Sequence, residues 1–147
     1  MQTFRFRLER LLRWQERNCS VAEERVHAAL GAVAETETKL AALKALAEAA
    51  EKECACLSNL GAADLRALHR FRQRNSSIAK ALAAEKEGRC NTLLEERKKL
   101  QAERLRLKAV NRIRDQELQE YTRLADKAVE AMAADSYFSR WARTQKH

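Results

Sequence analysis

A seven-residue repeat of apolar side chains is the feature that most limits how this chain can fold. Alternating steps of three and four residues from Leu12 reach fourteen positions, of which twelve are apolar. These positions are Leu12, Gln15, Cys19, Ala22, Val26, Ala29, Val33, Thr36, Leu40, Leu43, Ala47, Ala50, Cys54 and Leu57. Such a repeat puts one side of a helix against another helix, so it predicts a coiled coil. We expect a first helix from about residue 4 to residue 58.

One clear break separates this helix from the next. The stretch "SNLGAAD", residues 58–64, contains Asn59 and Gly61, which can end a helix in the left-handed conformation. It closes with Asp64, which can cap the following helix. A second apolar stripe then runs from Leu65 to about residue 134, and the chain contains no proline to interrupt it.

The second stripe is less regular than the first. Between Leu82 and Leu93 a step of eleven residues fits the apolar pattern better than a step of seven. An eleven-residue step predicts a local change of phase, where the supercoil relaxes.

Two long helical segments joined by a short break predict an all-α fold, an antiparallel coiled-coil hairpin. We expect a single domain over residues 1–147, with helices at about 4–58 and 64–134, a turn at 58–64 and a C-terminal tail at 135–147.

A hairpin folded near Gly61 places residue i opposite a residue close to about 122 − i. Helix 2 then overhangs helix 1 beyond about Leu118. The overhang exposes Leu124 and Met132, a surface typical of a partner site unless the tail folds back or frays.

Positive charge gathers at the same end of the predicted hairpin. The net charge is +3 over residues 1–17, −4 over residues 18–64 and +9 over residues 65–147. Hairpin pairing predicts one basic cluster from both helices, made of Arg5, Arg7, Arg10, Arg13, Arg104, Arg106 and Lys108. Such a cluster suits an acidic protein partner or a phosphate backbone. A charge run is equally typical of a solvated coiled-coil face, and both interpretations stay open.

Several functional classes find no support in the residues. No stretch approaches 18 consecutive apolar residues, and arginines interrupt the opening where a secretory signal needs an apolar centre. We therefore expect an intact cytosolic protein that does not insert into a membrane. The four cysteines and three histidines show neither metal-ligand nor catalytic spacing, and no glycine-rich phosphate loop is present. We expect no enzyme activity, no cofactor and no metal.

The chain resembles the flagellar FliJ family over nearly its whole length, in its hairpin layout and most clearly in three stretches. The opening "FRFRLERLLRWQER" is similar to the family's start, where alternating phenylalanine and basic residues precede a Leu-Glu-x-Leu-Leu-like run. "GAADLRALHRFRQRNSSIAKAL" resembles the family's turn and following helix, and "EERKKLQAERLRLK" resembles its basic late segment. The late stretch "DQELQEYTRLADKA" matches the family pattern only loosely.

The resemblance implies a component of the flagellar type III export apparatus, cytoplasmic and peripherally associated with the inner membrane at the flagellar base. It implies three partners: the hexameric flagellar export ATPase, the export-gate membrane protein and the export chaperones. In the ATPase the hairpin would act like the central stalk of a rotary ATPase, held at its open end by the basic cluster, Leu124 and Met132. Phe71, Ile78 and Leu82 occupy positions similar to those that the family uses toward the export gate.

Three other classes stay open beside this resemblance. A virulence-type III secretion system uses an equivalent stalk of the same architecture. A basic coiled coil can bind nucleic acid, but the aromatic residues that would stack on bases gather at the two ends of this chain, so we expect no nucleic-acid partner. Residues 1–17 also have the composition of a helix that lies on a membrane surface.

Overall fold

A computed structural model describes residues 4–57 and 59–144 of the chain. Two helices contain most of them, α1 over Glu9–Cys56 and α2 over Ala62–Thr144, and these residues form no strand. The chain divides into two compact units, to which both helices contribute. We call Met1–Cys19 with Glu103–His147 the terminal unit, and Ser20–Ala102 the central unit.

The two helices run in opposite directions in the terminal unit. The rings of Phe4 and Tyr121 lie 5.5 Å apart, centroid to centroid. Farther along α1, the side-chain amide of Gln15 contacts Glu103, which lies earlier in α2. Residue numbers therefore rise along α1 as they fall along α2, as an antiparallel pair requires.

The central unit has the same antiparallel arrangement. Lys86 Nζ lies 2.9 Å from Glu37 Oε1, and Arg72 Nε lies 3.1 Å from Glu51 Oε1. Both pairs fall within about two residues of the partners expected from a hairpin that folds near Gly61. The prediction of an all-α antiparallel two-helix hairpin is confirmed.

The predicted apolar stripe of α1 is the face that packs on α2. We call the residues on the packed faces of both helices the seam. Of the fourteen positions from Leu12 to Leu57, thirteen are buried or half-buried, and only Leu57, beyond the end of α1, is exposed. Leu12, Cys19 and Ala22 are among the most buried apolar side chains. The seven-residue repeat therefore predicted the seam of α1 correctly.

The seam of α2 keeps one phase where the sequence predicted a change. Lys86 and Arg89 occupy the half-buried positions between Leu82 and Leu93, in the same alternation of three and four residues. A search for apolar residues passes over these two positions, because their ends are charged although their stems pack at the seam. The predicted change of phase is wrong.

The start of α1 lies later than predicted. The helix begins at Glu9 instead of residue 4, and residues 4–8 precede it in a non-helical segment. Phe4, Phe6 and Leu8 are buried or half-buried, whereas Arg5 and Arg7 between them are exposed. The buried and exposed side chains alternate with a period of two, which a helix does not produce. The segment ends in a turn, in which the N–H of Glu9 donates to the Phe6 carbonyl at 3.3 Å.

The turn differs from its prediction in the roles of its residues. The backbone N–H of Gly61 donates to Asp64 Oδ2 at 3.0 Å, and the Gly61 carbonyl accepts from the N–H of Asp64 at 3.1 Å. Gly61 is therefore the N-cap of α2, and Asp64 is its third helical residue, bonding back to the cap. No described residue has a positive φ angle, so neither Asn59 nor Gly61 is left-handed. Ser58, at the edge of the predicted turn, lies outside the described residues.

The end of α2 also lies beyond its prediction. The helix continues to Thr144, through most of the tail predicted at 135–147, and residues 145–147 lie outside the described part. No proline or glycine follows Gly88, and Ser139 Oγ donates to the Asp135 carbonyl at 2.7 Å inside the helix. Nothing in this stretch breaks a helix. Neither helix contains a described segment with the length and hydrophobicity needed to cross a membrane.

Candidate functional site

The segment before α1 anchors the beginning of the chain to α2. Phe4 packs on Tyr121 with the two rings tilted by 53°, and Phe6 is buried. Because the buried and exposed side chains alternate, Arg5 and Arg7 are turned outward. The apolar residues of this segment therefore pack inward in the terminal unit, and Arg5 and Arg7 remain exposed at its surface.

The remaining predicted arginines of α1 are exposed on its first turns. Arg13 Nε lies 3.1 Å from Glu9 Oε1, one turn earlier, and Arg10 is exposed beside this pair. An exposed ion pair of this kind stabilises a helix by about 0.3–0.5 kcal/mol. The ion pair neutralises one arginine, and the net charge of this surface stays positive.

The predicted basic residues of α2 lie at the level of Gln15. Arg104, Arg106 and Lys108 are all exposed and follow Glu103, the residue that Gln15 contacts. Arg106 Nη1 lies 2.6 Å from Glu103 Oε1.

The structure divides the predicted basic cluster into two levels along the terminal unit. Arg13 precedes Gln15 by two residues and so lies at the level of Arg104–Lys108. Arg5 follows Phe4, which packs on Tyr121, so Arg5 and Arg7 lie toward the other end. The cluster is therefore an elongated basic surface along both helices.

The C-terminal part of α2 exposes apolar side chains. We call α2 from Asp126 onward the overhang, because every one of its residues with a described side chain is exposed. Met132 lies in it, and Leu124 lies just before it, and both are exposed as predicted. Tyr137 and Phe138 follow, with an edge-to-face ring contact at 6.1 Å.

The residues that the resemblance relates to the export gate lie in the central unit. Ile78 is exposed, whereas Phe71 and Leu82 are half-buried at the seam. Phe71 lines a groove of about 520 Å³ between the helices, together with Leu40, Leu43, Ala47, Asn75 and Ala79. Within the described residues, the buried amide nitrogen Nδ2 of Asn75 has no hydrogen-bond partner.

A polar contact crosses the seam of the terminal unit. Gln15, with 3% of its surface exposed, donates from Nε2 to the carboxylate of Glu103 and, at 3.3 Å, to the backbone carbonyl of the same residue. A buried amide is costly unless it is hydrogen-bonded, so this contact favours one register of the two helices.

A second polar contact crosses the seam of the central unit. Arg89 Nη1 donates to the Ala32 carbonyl at 2.6 Å and to Thr36 Oγ1 at 3.1 Å, and Thr36 is fully buried. Arg89 Nη2 also lies 2.5 Å from Glu85. This guanidinium joins the seam to an ion-pair network at the surface.

Glu35, a second acidic residue of this network, is stabilised in its charged form. Lys39 Nζ donates to Glu35 Oε1 at 2.7 Å, and Arg89 Nη1 lies 3.6 Å from Glu35 Oε2. The hydrogen bond and charge of Lys39, followed by the charge of Arg89, lower the pKa of Glu35 below its ordinary value of 4.5. Across the seam, the hydrogen bond that Lys86 donates to Glu37, followed by the charge of that carboxylate, raises the pKa of Lys86 above its ordinary 10.5.

We expect the contribution of Glu35 to stability to disappear in acid. A carboxylate whose pKa is lowered by folding stabilises the folded state above its unfolded pKa, and this contribution is lost as pH falls through the folded pKa. Unmodified protein should therefore melt above Glu35→Gln at neutral pH, and the gap should close below pH 4.5. Thermal unfolding followed by circular dichroism at stepped pH measures the gap. Glu48→Gln removes an exposed carboxylate elsewhere on α1 as the control, and a gap that persists unchanged into acid would contradict the expectation.

Sequence reasoning missed both polar contacts of the seam. Gln15 and Thr36 are the two exceptions among the fourteen repeat positions, and each meets a charged residue of α2, Glu103 or Arg89. These two polar residues in an apolar repeat were the signal in the sequence that could have predicted the contacts. A polar residue at a packed position needs a hydrogen-bond partner, which the facing helix can supply.

The described residues contain no group of three or more histidine, cysteine, aspartate or glutamate side chains placed to hold a metal ion. Comparison of the chain with protein-family profiles, with curated proteins and with solved structures gives no significant match.

Proposed function

We propose that this protein is a non-enzymatic component of the flagellar type III protein export apparatus and acts as a central-stalk-like partner of the hexameric export ATPase. The observation that carries the proposal lies in the terminal unit. There an elongated basic surface along both helices occurs in the same unit as the exposed apolar side chains of the C-terminal part of α2. The resemblance of the opening and turn sequences to the FliJ family supplies the identity of the partner.

The arginines suit a role in binding better than a role in the fold. Arg5, Arg7 and Arg10 are exposed, and an exposed ion pair contributes only about 0–1 kcal/mol to stability. Like charges on one surface also repel each other. A basic surface of this kind steers an acidic partner into place, and its association weakens as salt increases.

Exposed apolar residues in and just before the overhang have a complementary role in the proposal. Leu124 and Met132 offer exposed apolar surface at the same unit as the arginines. The ATPase ring would bind this surface while the arginines meet its acidic groups. In the central unit, Ile78 with Phe71 and Leu82 would face the export gate, and the same protein would receive export chaperones. In this proposal the protein works in the cytoplasm at the flagellar base.

Reversing three arginine charges tests the proposal. We expect the triple variant Arg7→Glu, Arg10→Glu and Arg13→Glu to keep its helicity and to lose stimulation of ATP hydrolysis by the export ATPase. The reason is that the reversed charges repel the acidic surface that the unmodified arginines attract. ATP hydrolysis by the purified ATPase, with and without each protein, is the measurement, and circular dichroism checks the fold.

A matched variant separates the position of the charge from its amount. Arg66, Arg70 and Arg74 are three exposed arginines spaced four residues apart on α2 of the central unit. Their replacement by glutamate changes net charge equally and should leave ATPase stimulation unchanged. Equal loss in both triple variants, or full stimulation by the first, would contradict the proposed role of the terminal arginines.

A further inference from the structure

One side of the terminal unit carries apolar side chains that neither helix covers. Leu11 and Trp14 lie on the first turns of α1, and Trp14 is 55% exposed. Leu105 and Ile113 lie on α2 in the same unit and are also exposed. A solvent-exposed tryptophan beside three large aliphatic side chains is more apolar surface than an isolated coiled-coil flank requires.

The α1 members of this group lie on one flank of the helix. Leu11 directly precedes the seam residue Leu12, and Trp14 directly precedes the seam residue Gln15. In a seven-residue repeat, the residues that directly precede the two seam positions share one flank, about 100° from the facing helix.

The α2 members lie on the equivalent flank. Ala109 directly precedes the half-buried Val110, and Ile113 directly precedes the half-buried Arg114. Two antiparallel helices are related by an approximate two-fold axis perpendicular to their common plane, so equivalent flanks fall on the same side of the pair. Leu11, Trp14, Ala109 and Ile113 therefore form one surface, with Leu105 at its outer edge, which we call the apolar flank.

Arginines border the apolar flank on both helices. Arg10 and Arg17 lie one turn before and one turn after Trp14. On α2, Arg112 directly precedes Ile113, and Arg106 lies one full repeat before it. All four arginine side chains are exposed.

Residues 10–18 and 102–113, which contain the apolar flank, place no acidic residue on it. Glu16 and Glu103 are the acids in the two stretches, residues 10–18 and 102–113. Glu16 directly follows the seam residue Gln15 and so lies on the opposite flank. Glu103 lies at the seam, where it pairs with Arg106, so the excess positive charge of the border comes from the other three arginines. The apolar flank therefore combines an apolar centre with a positive border.

We infer that the apolar flank binds an amphipathic α-helix of a partner protein, with an apolar stripe edged by aspartate or glutamate. Two antiparallel helices leave a shallow groove along each flank, into which a third helix packs at an ordinary interhelical distance. Trp14 supplies the type of residue that dominates binding energy at protein interfaces. The border of arginines selects an acidic helix.

A second copy of this chain fits the apolar flank poorly. Pairing two copies through this surface would bring Arg10, Arg17, Arg106 and Arg112 of one copy toward the same residues of the other. Like charges placed together at an interface oppose association. The charge of the border thus favours a different, acidic partner over self-association.

The inference depends on the residues of the apolar flank and not on the ATPase proposed above as the partner. It is tested without that enzyme, so its failure and the failure of the proposed function give different results. The ATPase assay measures how reversed arginine charges change ATP hydrolysis. The experiment below measures the fluorescence of Trp14 when a peptide binds.

Fluorescence of Trp14 reports occupation of the apolar flank. The chain has two tryptophans, so the full-length variant Trp141→Phe keeps Trp14 as the single one. The probe is a synthetic helical peptide of about 21 residues, six turns, with leucines in a seven-residue repeat and glutamates beside them. We expect a saturable blue shift of Trp14 emission, because the bound helix removes water from the indole. A scrambled peptide of equal composition should give no saturable shift.

Two positions on α2 form a matched pair for this experiment. Ile113 and Leu118 are each 41% exposed in the terminal unit, but Ile113 precedes a seam residue whereas Leu118 follows one, Glu117. In the Trp141→Phe background, Ile113→Ser should weaken peptide binding by about tenfold or more, whereas Leu118→Ser should leave it unchanged.

Three results would overturn the inference. The first is the absence of a saturable shift in Trp14 emission. The second is equal binding of the scrambled peptide, or equal weakening by Ile113→Ser and Leu118→Ser. The third is a dimer of the chain without peptide that Ile113→Ser dissociates, measured by sedimentation equilibrium, because the flank would then be an interface between copies.

Discussion

Replacing Leu93 with alanine is expected to lower the free energy of unfolding by about 2–4 kcal/mol. Leu93 is 8% exposed at the seam of the central unit. Truncation removes its buried methyl groups and leaves a cavity that two rigid helices close only in part. Urea unfolding measures the change, followed by circular dichroism at about 222 nm, where the spectrum of an α-helix has a minimum.

The neighbouring leucine provides the control for this prediction. Leu94 has the same side chain and the same helical propensity but is 54% exposed. Leu94→Ala should change stability by no more than about 0.5 kcal/mol. Similar losses in the two variants would show that the helix face assigned to the seam of α2 is wrong.

The polar contact between Gln15 and Glu103 leads to the second large effect. Glu103→Leu should destabilise the protein by about 1–3 kcal/mol, because it removes the side-chain acceptor of an amide that is 3% exposed. The double variant Gln15→Leu and Glu103→Leu removes both polar groups. It should be at least as stable as the unmodified chain, since a buried polar pair is often no more stabilising than an apolar one.

The order of these stabilities is the critical measurement. Thermal unfolding of the unmodified chain, both single variants and the double variant forms a complete double-mutant cycle. A double variant less stable than the unmodified chain would contradict the prediction, and one less stable than Glu103→Leu would show that the two losses add. The cycle also isolates the coupling between Gln15 and Glu103 from the effects of each side chain alone.

The fold of α1 was predictable because its seam is almost entirely apolar. An apolar repeat is read from sequence by the same periodicity that packs the helix, so the positions from Leu12 to Cys54 could be assigned. The seam of α2 was harder to predict because Lys86, Arg89 and Glu96 occupy half-buried positions. Long charged side chains bury their stems while their ends reach solvent or a partner, and a hydropathy pattern does not record this.

The beginning of the chain was predicted as helix because its composition suits one. The alternation of Phe4, Phe6 and Leu8 with Arg5 and Arg7 has a period of two, and this shorter pattern decides the local conformation. The period-two pattern covers only residues 4–8, whereas the seven-residue repeat that follows is much longer and dominates the helix prediction. The same reasoning applies to the candidate site, whose arginines were predictable as charges but not as a surface extended over two levels.

The packing of Phe4 on Tyr121 has a consequence for the order in which the molecule assembles. The Thr36–Arg89 contact joins residues 53 positions apart, whereas the Gln15–Glu103 contact joins residues 88 positions apart. Contacts between distant residues close larger loops, so a hairpin zips outward from its turn. We expect the terminal unit to close last, after most of α2 has left the ribosome. The apolar side chains of the opening would then stay exposed in a nascent chain until the part of α2 that covers them has been synthesised.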